Sequence, residues 1–247
     1  MGPSTPFGVP EPVEGRSGTG SRGAYLAVKR ALDILGAALA LLVLSWLLLP
    51  IMLVLLCTGE HEVFYRQPRV GRGGRTFGII KFATMLKDSP NLGTGSLTVR
   101  GDPRVLPFGR LLRLTKLNEL PQLINVLVGD MSFVGPRPQM RVDFDAYPER
   151  AQQAIAAMAP GITGIGSVVF RDEERFLSRP GLDPRRFYVE EIAPYKGALE
   201  VWYLEHRGLA TDARLLWATG WTVLRPHSDL VFRMFPDLPP RPAWWAD

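Results

Sequence analysis

The apolar segment from Leu32 to Cys57 constrains the fold of this 247-residue chain more than any other feature. Asp33, Gly36, Ser45 and Pro50 are its main interruptions. A helix needs about 20 apolar residues to span a bilayer, so the segment predicts a membrane helix. It begins too late and runs too long for a cleaved signal peptide. The simplest interpretation is a single transmembrane anchor.

The charges beside this segment favour a different path. They are Arg22, Lys29 and Arg30 on one side and Arg66, Arg69, Arg72 and Arg75 on the other. Because positive charge marks the cytoplasmic side, both ends are expected in the cytoplasm. Pro50 supplies a kink, since it has no amide hydrogen and its ring clashes with the carbonyl four residues back. We therefore predict a re-entrant helix within residues 24–60, with Ser45 or another internal group bonding the carbonyls that the kink frees.

Composition sets the boundaries of the rest of the chain. Residues 1–23 are rich in Gly, Pro and Ser without apolar periodicity, which predicts a disordered arm. A single cysteine rules out an internal disulfide, and three scattered histidines lack the spacing of a zinc site. We predict one folded domain over residues 61–225 and a C-terminal tail over residues 226–247.

The middle of the chain is strongly basic. Between Arg66 and Arg141 there are thirteen basic and four acidic residues, whereas the whole chain has a net charge of +5. This imbalance predicts an anionic partner. Nucleic acid is not expected, because the segment lacks zinc-finger, helix-turn-helix and RNP-like patterns and has few aromatic residues to stack on bases. Pyrophosphate and anionic lipid fit better.

Three clusters of reactive residues lie in the stretch TKLNELPQLINVLVGDMSFVGPRP. They are Asn118-Glu119-Leu120-Pro121, Gly129-Asp130-Met131-Ser132 and Gly135-Pro136-Arg137-Pro138. This stretch resembles the signature of the bacterial sugar transferases, the monotopic polyprenyl-phosphate phosphoglycosyl transferases. In that family the first pair is normally Asp-Glu, and its Asp is the nucleophile that accepts a phospho-sugar from a nucleotide sugar. In this chain Asn118 occupies the place of that Asp, followed by Glu119.

A hairpin is predicted upstream of these clusters. From Phe64 to Met85 an alternating run, a Gly-rich turn and the β-prone residues Phe77–Phe82 follow one another. The resemblance covers roughly Val28 to Gly164 and assigns a functional role to Lys81 on the second strand. The alternative for Lys81 is a solvated lysine at a strand end.

A short basic helix is predicted from Gly109 to Leu117. Three-residue steps place Arg110, Arg113 and Lys116 on one face of it. A planar guanidinium donates two parallel hydrogen bonds and therefore suits a pyrophosphate. The resemblance makes Arg113 the best candidate for binding the diphosphate, with Arg137 as a second clamp.

The resemblance also implies a cofactor, Mg²⁺. Phosphoryl transfer from a nucleotide sugar needs a nucleophile, a divalent ion and cations around the phosphate oxygens. Glu119 and Asp130 are the candidate metal ligands, although an Asp after Gly is often a turn residue. Glu119 can also act as a base or attack, because Asn118 is neutral and a poor nucleophile. Arg171 is a further substrate-binding candidate, at a position where the family commonly has Arg.

The last third of the chain predicts packed and interfacial helices. One apolar stripe at four-three spacing is a core face, formed by Tyr188, Ile192, Tyr195, Leu199 and Trp202. Leu215–Leu224, with Trp217 and Trp221, is predicted at the lipid headgroups or in ordinary packing, and Trp244 and Trp245 at the headgroups. The predicted class is α/β, with a small mixed core, an N-terminal re-entrant membrane helix and amphipathic interfacial helices.

The resemblance implies transfer of a sugar-1-phosphate from a nucleotide sugar, with UDP as the nucleotide, to polyprenyl phosphate. This is the first membrane step of polysaccharide or glycoconjugate synthesis, on the cytoplasmic face of the bacterial inner membrane. Membrane lipid is a further partner, and a homo-oligomer is left open. Asn118 leaves two alternatives, a pseudoenzyme or scaffold that keeps the nucleotide-sugar pocket and an engineered Asp-to-Asn change. A purely structural anchor would not need converging arginines.

Overall fold

The computed structural model describes residues 19–89, 102–225 and 228–245. A long N-terminal helix is followed by two small sheets and a group of shorter helices, which confirms the mixed α/β class. The strands are β1 (Phe64–Val70), β2 (Thr76–Phe82), β3 (Ser132–Val134) and β4 (Gly161–Thr163). The α-helices are α1 (Thr19–Cys57), α2 (Pro107–Leu114), α3 (Gln122–Val128), α4 (Arg141–Phe144), α5 (Glu149–Ala156), α6 (Ile165–Val169), α7 (Glu173–Leu177), α8 (Pro184–Phe187), α9 (Ala193–His206), α10 (Leu209–Leu224) and α11 (Leu230–Met234). Three 3₁₀ turns (Arg72–Gly74, Leu117–Glu119 and Ala243–Trp245) and a π-helical turn (Tyr188–Ile192) complete the described elements.

Helix α1 starts earlier than predicted and passes through its proline. Most of the predicted arm, residues 1–18, lies outside the described residues, but residues 19–23 form the first turn of α1. The helix continues through Pro50 without unwinding. Ser45 Oγ donates a hydrogen bond to the Leu42 carbonyl (2.7 Å). It therefore does not donate to the Trp46 carbonyl, which Pro50 leaves without its usual amide donor.

Both halves of α1 contact the same folded body. Ala37, in the first half, is buried in a cluster with residues of β2 and α3. Ile51 and Leu55, in the last two turns, are buried with residues of β2 and α2. Burying each of these two side chains contributes about 1.5–3 kcal/mol. The first half and the last two turns of the apolar helix are therefore both packed against the same folded body.

The opposite face of α1 is apolar and exposed. Leu35, Leu39, Leu42, Trp46 and Leu49 follow one another in steps of three or four and are 57% to 73% exposed. Soluble proteins rarely expose a contiguous apolar patch larger than a few hundred Å². This face is therefore suited to lipid, in agreement with a length and hydropathy sufficient to cross a membrane.

The main core forms around α9, which packs against α5 and α6. The predicted apolar stripe is confirmed, because Tyr188, Ile192, Tyr195, Leu199 and Trp202 are all at most 7% exposed. The tail tryptophans were predicted at the membrane surface, and this is wrong. Trp244 and Trp245 pack on core rings instead, with Trp245 centred 5.3 Å from Phe170. Trp217 and Leu224 of α10 remain 64% and 80% exposed.

The two sheets position the loops of the site. Strands β1 and β2 form the predicted antiparallel hairpin, in which Tyr65 lies opposite Lys81. Strands β3 and β4 pair in parallel and bring Gly135 against Gly161. A Cβ on Gly161 would lie 2.2 Å from the Gly135 nitrogen, so only glycine allows this approach. The close packing fixes the start of the loop that carries Arg137.

Candidate active site

A cleft of about 830 Å³ lies between the β1–β2 hairpin, α2 and the 3₁₀ turn Leu117–Glu119. Its volume falls in the range of ligand pockets, roughly 300–1,000 Å³. Leu55 and Thr58, at the end of α1, belong to its wall. The cleft is therefore adjacent to the end of the apolar helix.

A strained turn carries Asn118 and Glu119 into this cleft. Lys116, directly before the turn, has a φ of 61° in the left-handed region. Such a conformation costs a residue other than glycine about 1–3 kcal/mol and is concentrated at functional sites. The predicted helix from Gly109 to Leu117 ends at Leu114, so Lys116 does not share a helix face with Arg113.

Glu119 is the centre of an ion cluster. Its Oε1 accepts hydrogen bonds from Lys81 Nζ and from Arg137 Nη2, each at 3.0 Å. Burial alone would raise the pKa of Glu119, but the charges of Arg137 and Lys81 outweigh burial and hold that pKa well below its usual range. No donor among the described residues bonds Oε2 of Glu119, which leaves this oxygen available to a ligand.

Lys81 is not the solvated lysine of the alternative interpretation, because only 18% of its side chain is exposed. Burial lowers the pKa of Lys81 to about 8. The carboxylate of Glu119 opposes this shift, whereas the positive charges of Arg137 and Arg69 add to it. Lys81 therefore loses its proton closer to neutral pH than an ordinary lysine does.

Asn118 is buried in the wall of the same cleft. It is 7% exposed, and its Oδ1 is a buried oxygen without a hydrogen-bond partner among the described residues. Leaving such an acceptor unsatisfied costs about 1–3 kcal/mol. An unpaired oxygen beside a basic cluster is a candidate ligand for a metal ion or for a donor group of a substrate.

Three of the five predicted substrate-binding residues line the cleft: Lys81, Arg113 and Arg137. Arg110 does not, because it lies on the exposed side of α2 beside Leu111 and Leu114. Arg171 does not either. It follows α6, whose packing carries it into a smaller pocket with residues of the C-terminal tail.

Comparison with known proteins assigns the chain to a family. The model of the family described as "Bacterial sugar transferase" matches residues 24–226. The chain belongs to this family. It is 32% identical over 201 residues to the exopolysaccharide production protein ExoY of Rhizobium meliloti, covering 76% of this chain and 85% of the relative. It is 41% identical over 144 residues to the UDP-glucose:undecaprenyl-phosphate glucose-1-phosphate transferase of Caulobacter vibrioides, covering 57% of this chain and 53% of that enzyme.

A third relative has a different sugar in its name. The undecaprenyl-phosphate galactose phosphotransferase of Salmonella typhimurium is 30% identical over 212 residues, which are 80% of this chain and 40% of the relative. The sequence resemblance to the family is thereby confirmed. Relatives that differ in length and in the sugar of their names therefore share the region that aligns with this chain.

The site of this bacterial sugar transferase can hold a divalent ion, but the protein supplies few of the ligands. Asp130 is exposed, accepts from Asn125 Nδ2 (3.3 Å) and does not line the cleft, so it does not join Glu119. No group of three His, Cys, Asp or Glu side chains occurs together in the described part of the chain. Mg²⁺ is commonly held by one or two carboxylates together with substrate phosphates. Glu119 Oε2, with Asn118 Oδ1 nearby in sequence, meets this requirement.

Arg69 was missed by the sequence analysis. It lines the cleft from β1, and its Nη2 donates to Gln67 Oε1 (2.5 Å) while its buried Nε has no partner. Burial and the charge of Arg137 lower the pKa of Arg69 to about 10. The alternation of β1 was the available signal, because Tyr65, Gln67 and Arg69 share its less exposed face.

Proposed function

We propose that this bacterial sugar transferase moves a sugar-1-phosphate from a nucleotide sugar to a polyprenyl phosphate, the first membrane step of polysaccharide or glycoconjugate synthesis. One observation carries the proposal. Glu119 is held between Lys81 and Arg137 in a basic cleft that adjoins the end of an apolar, lipid-suited helix. An anionic donor and a lipid-linked acceptor can therefore meet at one place. The printed names of the relatives support the same reaction.

The donor is proposed to be a UDP-sugar, as in the name of the Caulobacter relative. Its diphosphate would be bound by Lys81, Arg113 and Arg137. A hydrogen bond to a charged group contributes about 1.5–3 kcal/mol, so each of these three cations would add measurably to the affinity. The proposed ion is Mg²⁺, held by Glu119 and by the diphosphate, where it would neutralise phosphate charge.

The acceptor would reach the cleft along the membrane surface. Leu55 and Thr58 border the cleft, and Leu111 and Leu114 of α2 are 53% and 81% exposed. A polyprenyl chain could lie against such apolar side chains while its phosphate enters the cleft. Arg110, next to Leu111, is placed to contact lipid phosphates rather than the donor. We propose that this surface lies on the cytoplasmic face of the bacterial inner membrane, because basic residues flank the apolar segment at both ends.

A pseudoenzyme that only binds nucleotide sugars is not favoured. Glu119 forms ion pairs with both Lys81 and Arg137, and the named relatives are transferases. The alternative of a purely structural anchor is disfavoured for the same reason. Such a protein would not need to bury a carboxylate with two cations at the cost of their desolvation.

The reaction is tested with the full chain and its Asn118→Asp variant in liposomes containing undecaprenyl phosphate. A panel of nucleotide sugars is supplied with Mg²⁺, and released nucleotides are identified. Transfer of a sugar-1-phosphate requires nucleoside monophosphate as the other product. Release of nucleoside diphosphate, or no release by either protein with any donor, would contradict the proposed function.

Membrane topology gives a separate prediction. In a Cys57→Ser background, cysteines placed at Gly23 and at Arg75 are both expected to resist an impermeant thiol reagent in spheroplasts. Both are expected to react in inverted vesicles, since basic residues flank the apolar segment on both sides. Reaction of one site on each side of the membrane would establish a spanning helix.

A further inference from the structure

A second pocket lies at the other end of α1. It encloses about 160 Å³ between the first turns of α1, the Arg72–Gly74 turn, the start of β3 and the end of α9. The residues that line it are all different from those that line the cleft with Asn118 and Glu119. Whatever binds here is therefore not the sugar donor in its reacting position.

The wall of this pocket is cationic. Lys29, Arg30, Arg72 and Arg207 line it, and Asp33 is the acidic residue of the wall. Asp33 is already engaged, since its Oδ1 accepts from the Phe133 amide (3.0 Å). The pocket thus presents an excess of positive charge.

Two of the four cations are committed to the protein. Lys29 Nζ pairs with Asp212 at 2.6 Å, and Arg30 donates to the carbonyls of Val126 (2.6 Å) and Leu127 (2.8 Å). Arg72 and Arg207 have no acidic partner within the described ranges. These two guanidinium groups come from different elements, the hairpin turn and the end of α9.

Arg207 lies near two like charges, Arg22 and Arg72, and near the phenol groups of Tyr25 and Tyr203. Burial lowers the pKa of the Arg207 guanidinium, the charges of Arg22 and Arg72 lower it further, and the two phenol groups raise it. Its Nε is buried without a hydrogen-bond partner, as is Oγ of Ser132, which is 2% exposed and lines the same pocket. Unsatisfied buried donors cost about 1–3 kcal/mol each. An anion bound between these groups would offset the repulsion between the guanidinium charges and accept hydrogen bonds from the unpaired donors.

We propose that this pocket binds a phosphate-bearing anion through Arg72, Arg207 and Ser132. Guanidinium and hydroxyl donors match phosphate oxygens, and the planar fork of Arg binds them in pairs. The headgroup of an anionic phospholipid is one source of this chemistry, because the pocket adjoins the start of the apolar segment at Leu32. Free phosphate is the other source. Occupation would tie the hairpin turn and α9 to the base of the membrane helix.

The test measures binding to the full chain in detergent, with dihexanoyl phosphatidylglycerol, dihexanoyl phosphatidylcholine and inorganic phosphate as separate probes. Arg72→Gln and Arg207→Gln are each expected to weaken binding of the anionic lipid at least about tenfold, the low end for a hydrogen bond between charged groups. Arg75→Gln is the matched control, because Arg75 is an exposed residue of the same turn that does not line the pocket. Phosphatidylcholine should bind weakly to every variant.

Each outcome decides one point. Arg72 is exposed, so Arg72→Gln keeps the test valid even if Arg207→Gln does not fold. Binding of inorganic phosphate with the same dependence on Arg72, but no binding of the lipid, would support the site and identify free phosphate as its ligand. Absence of binding by both anions, or equal binding by Arg72→Gln and Arg75→Gln, would overturn the proposal. These readouts are independent of sugar transfer, so their failure leaves the proposed function standing.

Discussion

Replacing Asn118 by aspartate is expected to raise the rate of phospho-sugar transfer by several orders of magnitude, since removing the nucleophile of an enzyme can lower kcat by about 10⁶. The amide of Asn118 is neutral, buried and unpaired at Oδ1, in a cleft lined by Lys81, Arg113 and Arg137. A carboxylate at the same place has nearly the same volume and would gain these cations as partners. It would also supply the anionic oxygen that attacks the sugar-bearing phosphate. Release of nucleoside monophosphate and an adduct in the intact-protein mass are the measurements.

Two further variants assign the nucleophile. Asn118→Ala should be as slow as the unchanged chain if the amide takes no covalent part. Glu119→Gln removes the negative charge that pairs with Lys81 and Arg137 and should reduce transfer in either background. If the chain with Asn118 reacts as fast as Asn118→Asp, and Glu119→Gln abolishes both activities, the assignment is wrong. Glu119 would then be the residue to search for an adduct.

Local sequence patterns predicted the elements that depend on local forces. The β1–β2 hairpin follows from its alternation and its Gly-rich turn, and the α9 stripe follows from its helical spacing. Glu119 was predicted as a site residue, and the structure gives it Lys81 and Arg137 as partners. Those two cations come from separate strands and loops, so their meeting at one oxygen could not be read from spacing alone.

The predicted site residues that lie outside the cleft share one physical cause, because the exposure and direction of a side chain are set by tertiary packing. Arg110 has the same charge as Arg113, yet α2 turns it away from the cleft. Asp130 follows Gly129 and serves Asn125, whose amide also bonds the Gly78 carbonyl of β2 (2.9 Å). Arg171 was predicted because the family commonly has Arg at this position, but it follows α6 and lines a smaller pocket beside the C-terminal tail. In each case the residue type was suitable and the fold placed it elsewhere.

Affinity for UDP-glucose is expected to fall by about one to two orders of magnitude between pH 7 and pH 10, the loss of one hydrogen bond to a charged group. Lys81 is the titrating group, since burial lowers its pKa to about 8. A lysine is charged below its pKa, so its bond to the diphosphate exists at pH 7 and is lost as the pH rises through about 8. Glu119 does not add to this change, because its pKa is held well below its usual range. Calorimetric titration of the full chain with UDP-glucose across this range measures the effect without requiring turnover.

Substitutions distinguish Lys81 from other groups that titrate in this range. Lys81→Arg keeps a charge up to pH values above about 12, so its affinity should stay constant where that of the unchanged chain falls. Lys87→Arg is the matched control, because Lys87 also borders the cleft but is exposed and paired with Glu62, which raises its pKa, so the pH profile should be unaltered. Arg137→Ala removes a positive neighbour that lowers the pKa of Lys81, so the fall should move to higher pH while affinity drops overall. A fall near pH 8 that persists in Lys81→Arg would assign the titration to a different residue. The shift in Arg137→Ala is the sharper test, since only a residue close to that charge responds to its loss, and Arg69, the other such cation of the cleft, titrates at about pH 10 rather than 8.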